Sequence, residues 1–170
     1  MDTPTDLHIV DFAPRWRDDF ARLNLEWLRR WFVVEPIDEQ VLHDPETHLL
    51  ADGGRVLFAL LGEGGAQRAV GTVALRHDGD GVHELTKMAV APELRGAGIG
   101  RALLVAAIDT HVRLGGRELY LESSSQLRPA LRLYESAGFV HHPAPRPGSH
   151  YARADVHMIW QPPPLTMRVA

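Results

Sequence analysis

A chain of 170 residues with a net charge of -4 and no cysteine has the size of one domain and can bury a substantial core. It has no disulfide framework, thiolate metal site or cysteine nucleophile. No block of Lys and Arg stands out against a sequence pI of about 6.2, so nucleic acid and anionic membrane surfaces are not expected partners, and a cationic substrate suits the charge better.

The amino terminus MDTPTDLHIVDF is acidic and lacks a signal-type apolar segment, and no run of about 18 apolar residues occurs. A cytoplasmic protein is therefore expected. Residues 7–12 alternate well enough for a short first strand, and Pro14 opens a helix that should run to Trp31. Trp16, Phe20, Leu23, Trp27 and Trp31 recur at steps of three and four and so share one face. The first three read as core. Trp27, Trp31 and Phe32 precede Glu35-Pro36-Ile37-Asp38-Glu39, where the helix must break or restart, and aromatics beside carboxylates at such a break could line a pocket for an amine. From Glu46 onward the chain should turn to strands. Residues 56–61, 69–76 and 82–90 are β-rich runs separated by glycine-rich turn sequences, which predicts an antiparallel meander.

The stretch HELTKMAVAPELRGAGIGRALLVAAIDTHV, residues 83–112, reads as strand, tight loop and long amphipathic helix. Glycines let a backbone approach a ligand closely, the first N–H groups of a helix lack internal partners, and the helix dipole adds positive potential there. The loop at Gly96, Gly98 and Gly100 is thus an anion site that suits a pyrophosphate. It is not a dinucleotide fingerprint, because Arg101 stands where the third glycine belongs, and not a Walker loop, because no Lys-Ser or Lys-Thr follows Gly100. Gly115-Gly116 ends the helix, residues 118–122 form a strand, and a second helix covers residues 128–137 with Pro129 early and Gly138 as its stop. A strand at residues 139–141, a loop at 143–149 and a last strand at 154–160 complete the pattern. Residues 1–161 are expected to be a single domain and residues 162–170 a mobile tail. There is no internal repeat.

Two motifs carry a family resemblance. R-x-x-G-x-G, from Arg95 to Gly100 behind a strand ending in V-x-P, and A-L-x-L-Y-x-x-x-G-F, matched by Ala130, Leu131, Leu133, Tyr134, Gly138 and Phe139, resemble the GNAT superfamily of acyl-CoA-dependent N-acyltransferases. Further segments, LNLEWLRRWF with E-P-x-D, ELTKMAV and SHYARADVHM, resemble a bacterial subgroup whose domain also occurs fused behind MarR-type regulators. The resemblance implies one α/β (α+β) domain, a mixed, mostly antiparallel twisted sheet with helices on both faces. It also implies acetyl-CoA as acyl donor, no metal, an amine acceptor and compatibility with a homodimer that exchanges late strands. The implied activity is N-acetylation of a primary amine, in a small molecule or amino acid rather than a protein lysine or N-terminus. The alternative is an acyl-CoA-binding module without turnover, since fold does not fix function.

The same resemblance assigns roles. Acetyl-CoA should lie along Met88, Ala89 and Val90, whose backbone N–H groups would meet the oxyanion, with its pyrophosphate on Arg95, Gly96, Ala97, Gly98, Ile99, Gly100 and Arg101. Relatives commonly carry Asn near the position held here by Ser124 or Ser125, so Ser124 is the expected contact and a weaker one. Glu84 is the candidate base for the amine, unless Lys87 pairs with it. Tyr134 is the candidate acid for the departing thiolate, because a phenol of pKa about 10 stays protonated at neutral pH. Trp27, Trp31 and Glu35 should border the acceptor. Arg153 could clamp an acceptor carboxylate while Glu35 or Asp38 attracts its ammonium. His141, His142 and His150 lack metal-ligand spacing and read as exposed loop residues, with His150 a possible substrate contact.

Overall fold

The computed structural model describes residues 3–149 and 151–164. Seven strands, β1 (His8–Asp11), β2 (Arg55–Leu61), β3 (Arg68–His77), β4 (Val82–Val90), β5 (Glu118–Ser123), β6 (Phe139–His141) and β7 (Val156–Trp160), form one sheet in the order β1-β2-β3-β4-β5-β7-β6. Every adjacent pair is antiparallel except β4 and β5. Their parallel pairing requires a crossover, and the long predicted helix, α3 (Ile99–Arg113), supplies it. The other helices are α1 (Arg17–Trp31), α2 (Pro36–His43) and α4 (Arg128–Ser136).

Adjacent residues of a strand point to opposite faces, and β3 shows that helices cover both. Thr72 lies across from Phe58, which meets Phe20 of α1 edge-on at 6.4 Å. At the neighbouring Gly71 an added Cβ would sit 2.9 Å from Leu103 of α3. Only a glycine lets α3 approach so closely, and Leu103 and Leu104 are fully buried as a result. Truncating such a leucine costs roughly 2–5 kcal/mol.

The expected fold is the one observed, with local differences. The first helix begins as a 3-10 turn over Pro14–Trp16, because Pro14 fixes the entry before regular helix starts at Arg17. Phe20 and Leu23 are core as expected, whereas Trp16 is only half-buried under Arg15. Residues 46–50 do not open a strand. They form a π-helical turn that buries Leu49 and ties Glu46 to Arg17. The last strand begins at Val156 rather than at residue 154, because the Ala154 N–H turns back onto the Tyr151 carbonyl and closes a turn there. His141 lies on β6, not in a loop, and pairs with Glu135. The tail expected to be mobile reaches Pro164 within the described residues, and the rest of it, with His150, lies outside them. Among the described residues no helix is long and apolar enough to cross a membrane.

Behind the sheet, the buried imidazoles of His83 (β4) and His111 (α3) face each other with 2.8 Å between their Nδ1 atoms. One nitrogen must donate and the other accept, so the contact survives only while at least one ring is neutral. Burial pushes both rings below their ordinary 6.5, and for His83 the facing His111 adds to it. The unfolded chain then binds these protons more readily than the folded one. Stability from the pair is complete above about pH 6.5 and is lost as pH falls below that value toward the lower pKa of the folded rings, by up to about 1.4 kcal/mol per pH unit for each proton. Thermal melts between pH 8 and pH 5 should show this decline. His111→Asn, which keeps a hydrogen-bonding group without the charge, should flatten it, and an unchanged slope would show that other groups titrate.

Candidate active site

β4 and β5 pair only over Val82–Glu118, His83–Leu119 and Glu84–Tyr120. Beyond that point β5 stays with β7, as far as Ser123 across from Val156, while β4 stays with β3 as far as Val90 across from Gly71. The sheet is therefore wedged open, and residues 85–90 have lost the partner strand on the side away from β3. A bulge reinforces the opening. Thr72 lies across from Ala89 and Ala74 across from Thr86, so Lys87 and Met88 together face Val73, and Lys87 takes a left-handed φ of 55°.

The wedge continues into a cleft of about 540 Å³. Along β4 it is lined by Glu84, Met88, Ala89 and Val90, and across from them by Ser124 and Tyr134. At one end lie Arg95, Gly96, Gly98, Ile99, Gly100 and Arg101, and at the other Trp27, Trp31 and Arg153. Two expected residues are elsewhere. Ala97 turns inward and is buried, because its neighbours at 96 and 98 take positive φ and the loop folds over it. Glu35 stays behind the wall. It precedes α2 as its N-cap, with its own N–H bonded to Asp38, and accepts a hydrogen bond from Arg153 at 3.0 Å.

The loop end fits an anion. Gly98 caps α3 with a left-handed φ of 80° and no capping side chain. Among the described residues, the N–H groups of Gly96, Gly98, Ile99, Gly100 and Arg101 donate to no protein oxygen. The Arg101 guanidinium is held by Ser136 of α4, which fastens the loop to the facing helix. Tyr134 of α4 is nearly buried, packs edge-on against Phe139, and has no protein partner for its hydroxyl among the described residues. Burial pushes its phenol up to about 12, so it remains a proton donor at any physiological pH.

Glu84 is buried and ionically held. Its Oε2 accepts from Arg76 at 2.8 Å and lies 2.9 Å from the Tyr120 hydroxyl, which also reaches Asp78 at 2.9 Å. Lys87 does not pair with it. Lys87 sits in the bulge, where the regular alternation of the strand is broken, and instead meets Asp38 at 2.9 Å and the Tyr151 hydroxyl at 2.8 Å. Arg153 lies with both terminal nitrogens on Asp38, at 3.1 and 2.9 Å, as well as on Glu35. The fork expected to hold an acceptor carboxylate is thus engaged from behind, and neither Glu35 nor Asp38 faces it across an open channel. Burial alone would raise the Asp38 carboxyl, yet bonds from Arg153, the Glu35 N–H and the Lys87 ammonium hold it at about 2. Ser124 Oγ accepts from the Gln126 N–H at 3.3 Å, and Ser125 is bonded to Asp155 through its N–H and its hydroxyl, so this turn is closed without an Asn.

Sequence reasoning missed Asn24, Tyr151 and the Arg76–Tyr120 support of Glu84. Asn24 is almost fully buried on α1 and borders the cleft. A polar residue inside the apolar stripe Phe20, Leu23, Leu28 was its only signal. Among the described residues, no group of three or more His, Asp or Glu side chains is placed to hold a metal ion.

A mixed sheet wedged open between parallel strands, with a donor-rich helix start at the wedge, is the architecture of an acyl-CoA-dependent acyltransferase. A sequence model of the Acetyltransferase (GNAT) family matches residues 8–139, and the chain belongs to that family. An uncharacterized N-acetyltransferase of Schizosaccharomyces pombe is 29% identical over 142 residues, 78% of this chain and 85% of the relative. The fold also matches a GNAT-family acetyltransferase of Staphylococcus aureus Mu50, with a TM-score of 0.79 at 20% identity over 91% of this chain and 98% of the other. It matches the PaiA N-acetyltransferase of Thermoplasma acidophilum, solved with coenzyme A, with a TM-score of 0.67 at 16% identity over 91% and 98%.

Proposed function

We propose that this acetyltransferase moves the acetyl group of acetyl-CoA to a primary amine of a small molecule or amino acid, within a single domain over residues 1–161. The observation that carries the reading is the continuity of the cleft, which runs from the free N–H groups of the phosphate-type loop, past the unpaired edge of β4 and Tyr134, to an aromatic wall at Trp27 and Trp31. Acetyl-CoA enters as donor substrate, with its pyrophosphate on residues 95–101 and its thioester beside Met88, Ala89 and Val90. A protein of similar fold solved with coenzyme A supports acetyl-CoA as the donor. The aromatic wall restricts entry and favours a small acceptor over a protein lysine. The resemblance to the subgroup also found behind MarR-type regulators, and a cytoplasmic location, go with this reading.

In the reaction the amine nitrogen attacks the thioester carbonyl carbon. Backbone N–H groups of the unpaired β4 edge stabilise the oxyanion, the C–S bond breaks, and Tyr134 gives the departing thiolate its proton. The proton shed by the amine goes to Glu84, directly or through water. Arg76 and Tyr120 occupy Oε2 of that carboxylate, which leaves Oε1 for this role. Free-thiol release from acetyl-CoA across a panel of amines, followed by mass spectrometry of the products, tests the proposal. Stoichiometric CoA binding with no amine-dependent thiol would favour the non-catalytic binding module. Glu84→Gln should lose rate mainly at low pH, where the amine is most protonated and most needs a base. A pH–rate profile parallel to that of the unaltered protein would remove Glu84 from the mechanism.

A further inference from the structure

Lys87 occupies a conformation that its own side chain disfavours. A positive φ of 55° belongs to glycine, and among the other residues Asn and Asp tolerate it best, so a lysine held there needs outside support. That support is visible. Its ammonium is almost fully buried, 2.9 Å from Asp38 Oδ1 and 2.8 Å from the Tyr151 hydroxyl, with the Tyr151 ring centroid at 4.4 Å. Asp38 is itself fully buried and fixed by Arg153 and by the Glu35 N–H. The anchor therefore joins α2 and the segment before β7 to one residue of β4. That residue is half of the bulge, immediately before Met88, where the strand edge stands open to the cleft.

We propose that Lys87 is a positioning residue. Its ion pair with Asp38 holds the left-handed turn of the β4 bulge, and so sets the backbone donors that meet the oxyanion of acetyl transfer. The ammonium acts on the backbone and not on the substrate. Strained residues persist only where their surroundings over-determine them, and such places cluster at functional sites. For its kinetic consequence the inference rests on the acetyl-transfer reading. The conformational lock itself does not.

Two substitutions separate the backbone role from the charge. Lys87→Ala and Lys87→Gly both remove the ammonium, and both leave Asp38 with its bonds from Arg153 and the Glu35 N–H, so both should fold. Only the alanine keeps the penalty for positive φ. With the best amine of the panel, Lys87→Ala should lower kcat roughly tenfold, the population shift that this penalty supports, with the KM for acetyl-CoA unchanged. Lys87→Gly should recover most of that loss. A Lys87→Ala enzyme at the unaltered rate, or a Lys87→Gly enzyme as slow as the alanine variant, would overturn the proposal, the second by showing that the ammonium itself is needed. The backbone amide resonances of Thr86 and Met88 decide the lock without turnover. They should move in the alanine variant and stay near their original positions in the glycine variant, and the reverse pattern or no movement in either would also overturn it. If the unaltered protein releases no thiol with any amine, the acetyl-transfer reading fails while these spectra still judge the lock.

Discussion

Tyr134→Phe should lower turnover by roughly ten- to ten-thousand-fold, the range for a general acid or base, and leave acetyl-CoA affinity almost unchanged. The substitution keeps the ring that packs against Phe139 and removes only a hydroxyl without a protein partner among the described residues. Among the described residues no hydrogen bond is lost, so the melting temperature should hold or rise slightly. Burial keeps Tyr134 protonated throughout the working range, with its phenol near 12. A thiol has an ordinary pKa of about 8.5, so the transfer to sulfur is uphill by roughly three pKa units and is completed only when the phenoxide regains a proton from solvent as CoA leaves. The effect should therefore fall on kcat and on kcat/KM alike. Steady-state kinetics beside calorimetric titration with CoA separate the two quantities. An unchanged kcat would leave Tyr134 as packing, and a fall confined to CoA affinity would make it a binding residue.

Gly98→Val should abolish measurable CoA binding in a folded protein. Gly98 has a φ of 80°, which valine strongly disfavours, and any Cβ there would lie 2.6 Å from the Thr3 hydroxyl. The loop must shift, and with it the N–H groups of Gly98, Ile99 and Gly100. Each hydrogen bond to a charged group contributes roughly 1.5–3 kcal/mol, so losing two weakens binding by about a hundredfold or more. Gly100 supplies the control. It has no positive φ, and its Cβ would make ordinary contact with Leu133 at 3.5 Å. Gly100→Ala should bind CoA within a few-fold of the unaltered chain. Calorimetry on both variants, each checked by circular dichroism, decides the matter. Equal affinities in a folded Gly98→Val protein would move the phosphate site elsewhere.

The phosphate-type loop was legible because the feature is local. Glycines, a missing capping side chain and a helix start all lie within residues 95–101, and consecutive backbone donors need no help from distant residues. Tyr134 was legible through its motif, although its burial and lack of a partner were not. The Glu84 support was hidden, since Arg76 and Tyr120 stand 8 and 36 residues away and reach it only through strand pairing. Arg153 was expected to present a free fork, and that expectation did not foresee its partner within the chain. Its fork closes on Asp38, 115 residues earlier, and sequence offers no means to prefer a buried carboxylate of the chain over one on a ligand.

By itself the sequence determined the meander, the long helix and the glycine loop, because each follows from periodicity or from residues adjacent in the chain, and its two motifs carried the family resemblance. Tertiary structure alone decided where the sheet opens. β5 has two possible neighbours, and past Tyr120 its ladder is kept by β7 and not by β4. The pairing of Lys87 with Asp38 was likewise decided in three dimensions, across 49 residues and through a bulge that breaks the strand's alternation. A local pattern encodes which face a side chain should take. It cannot encode which of two distant strands or charges wins the contact, because that depends on packing summed over the whole fold.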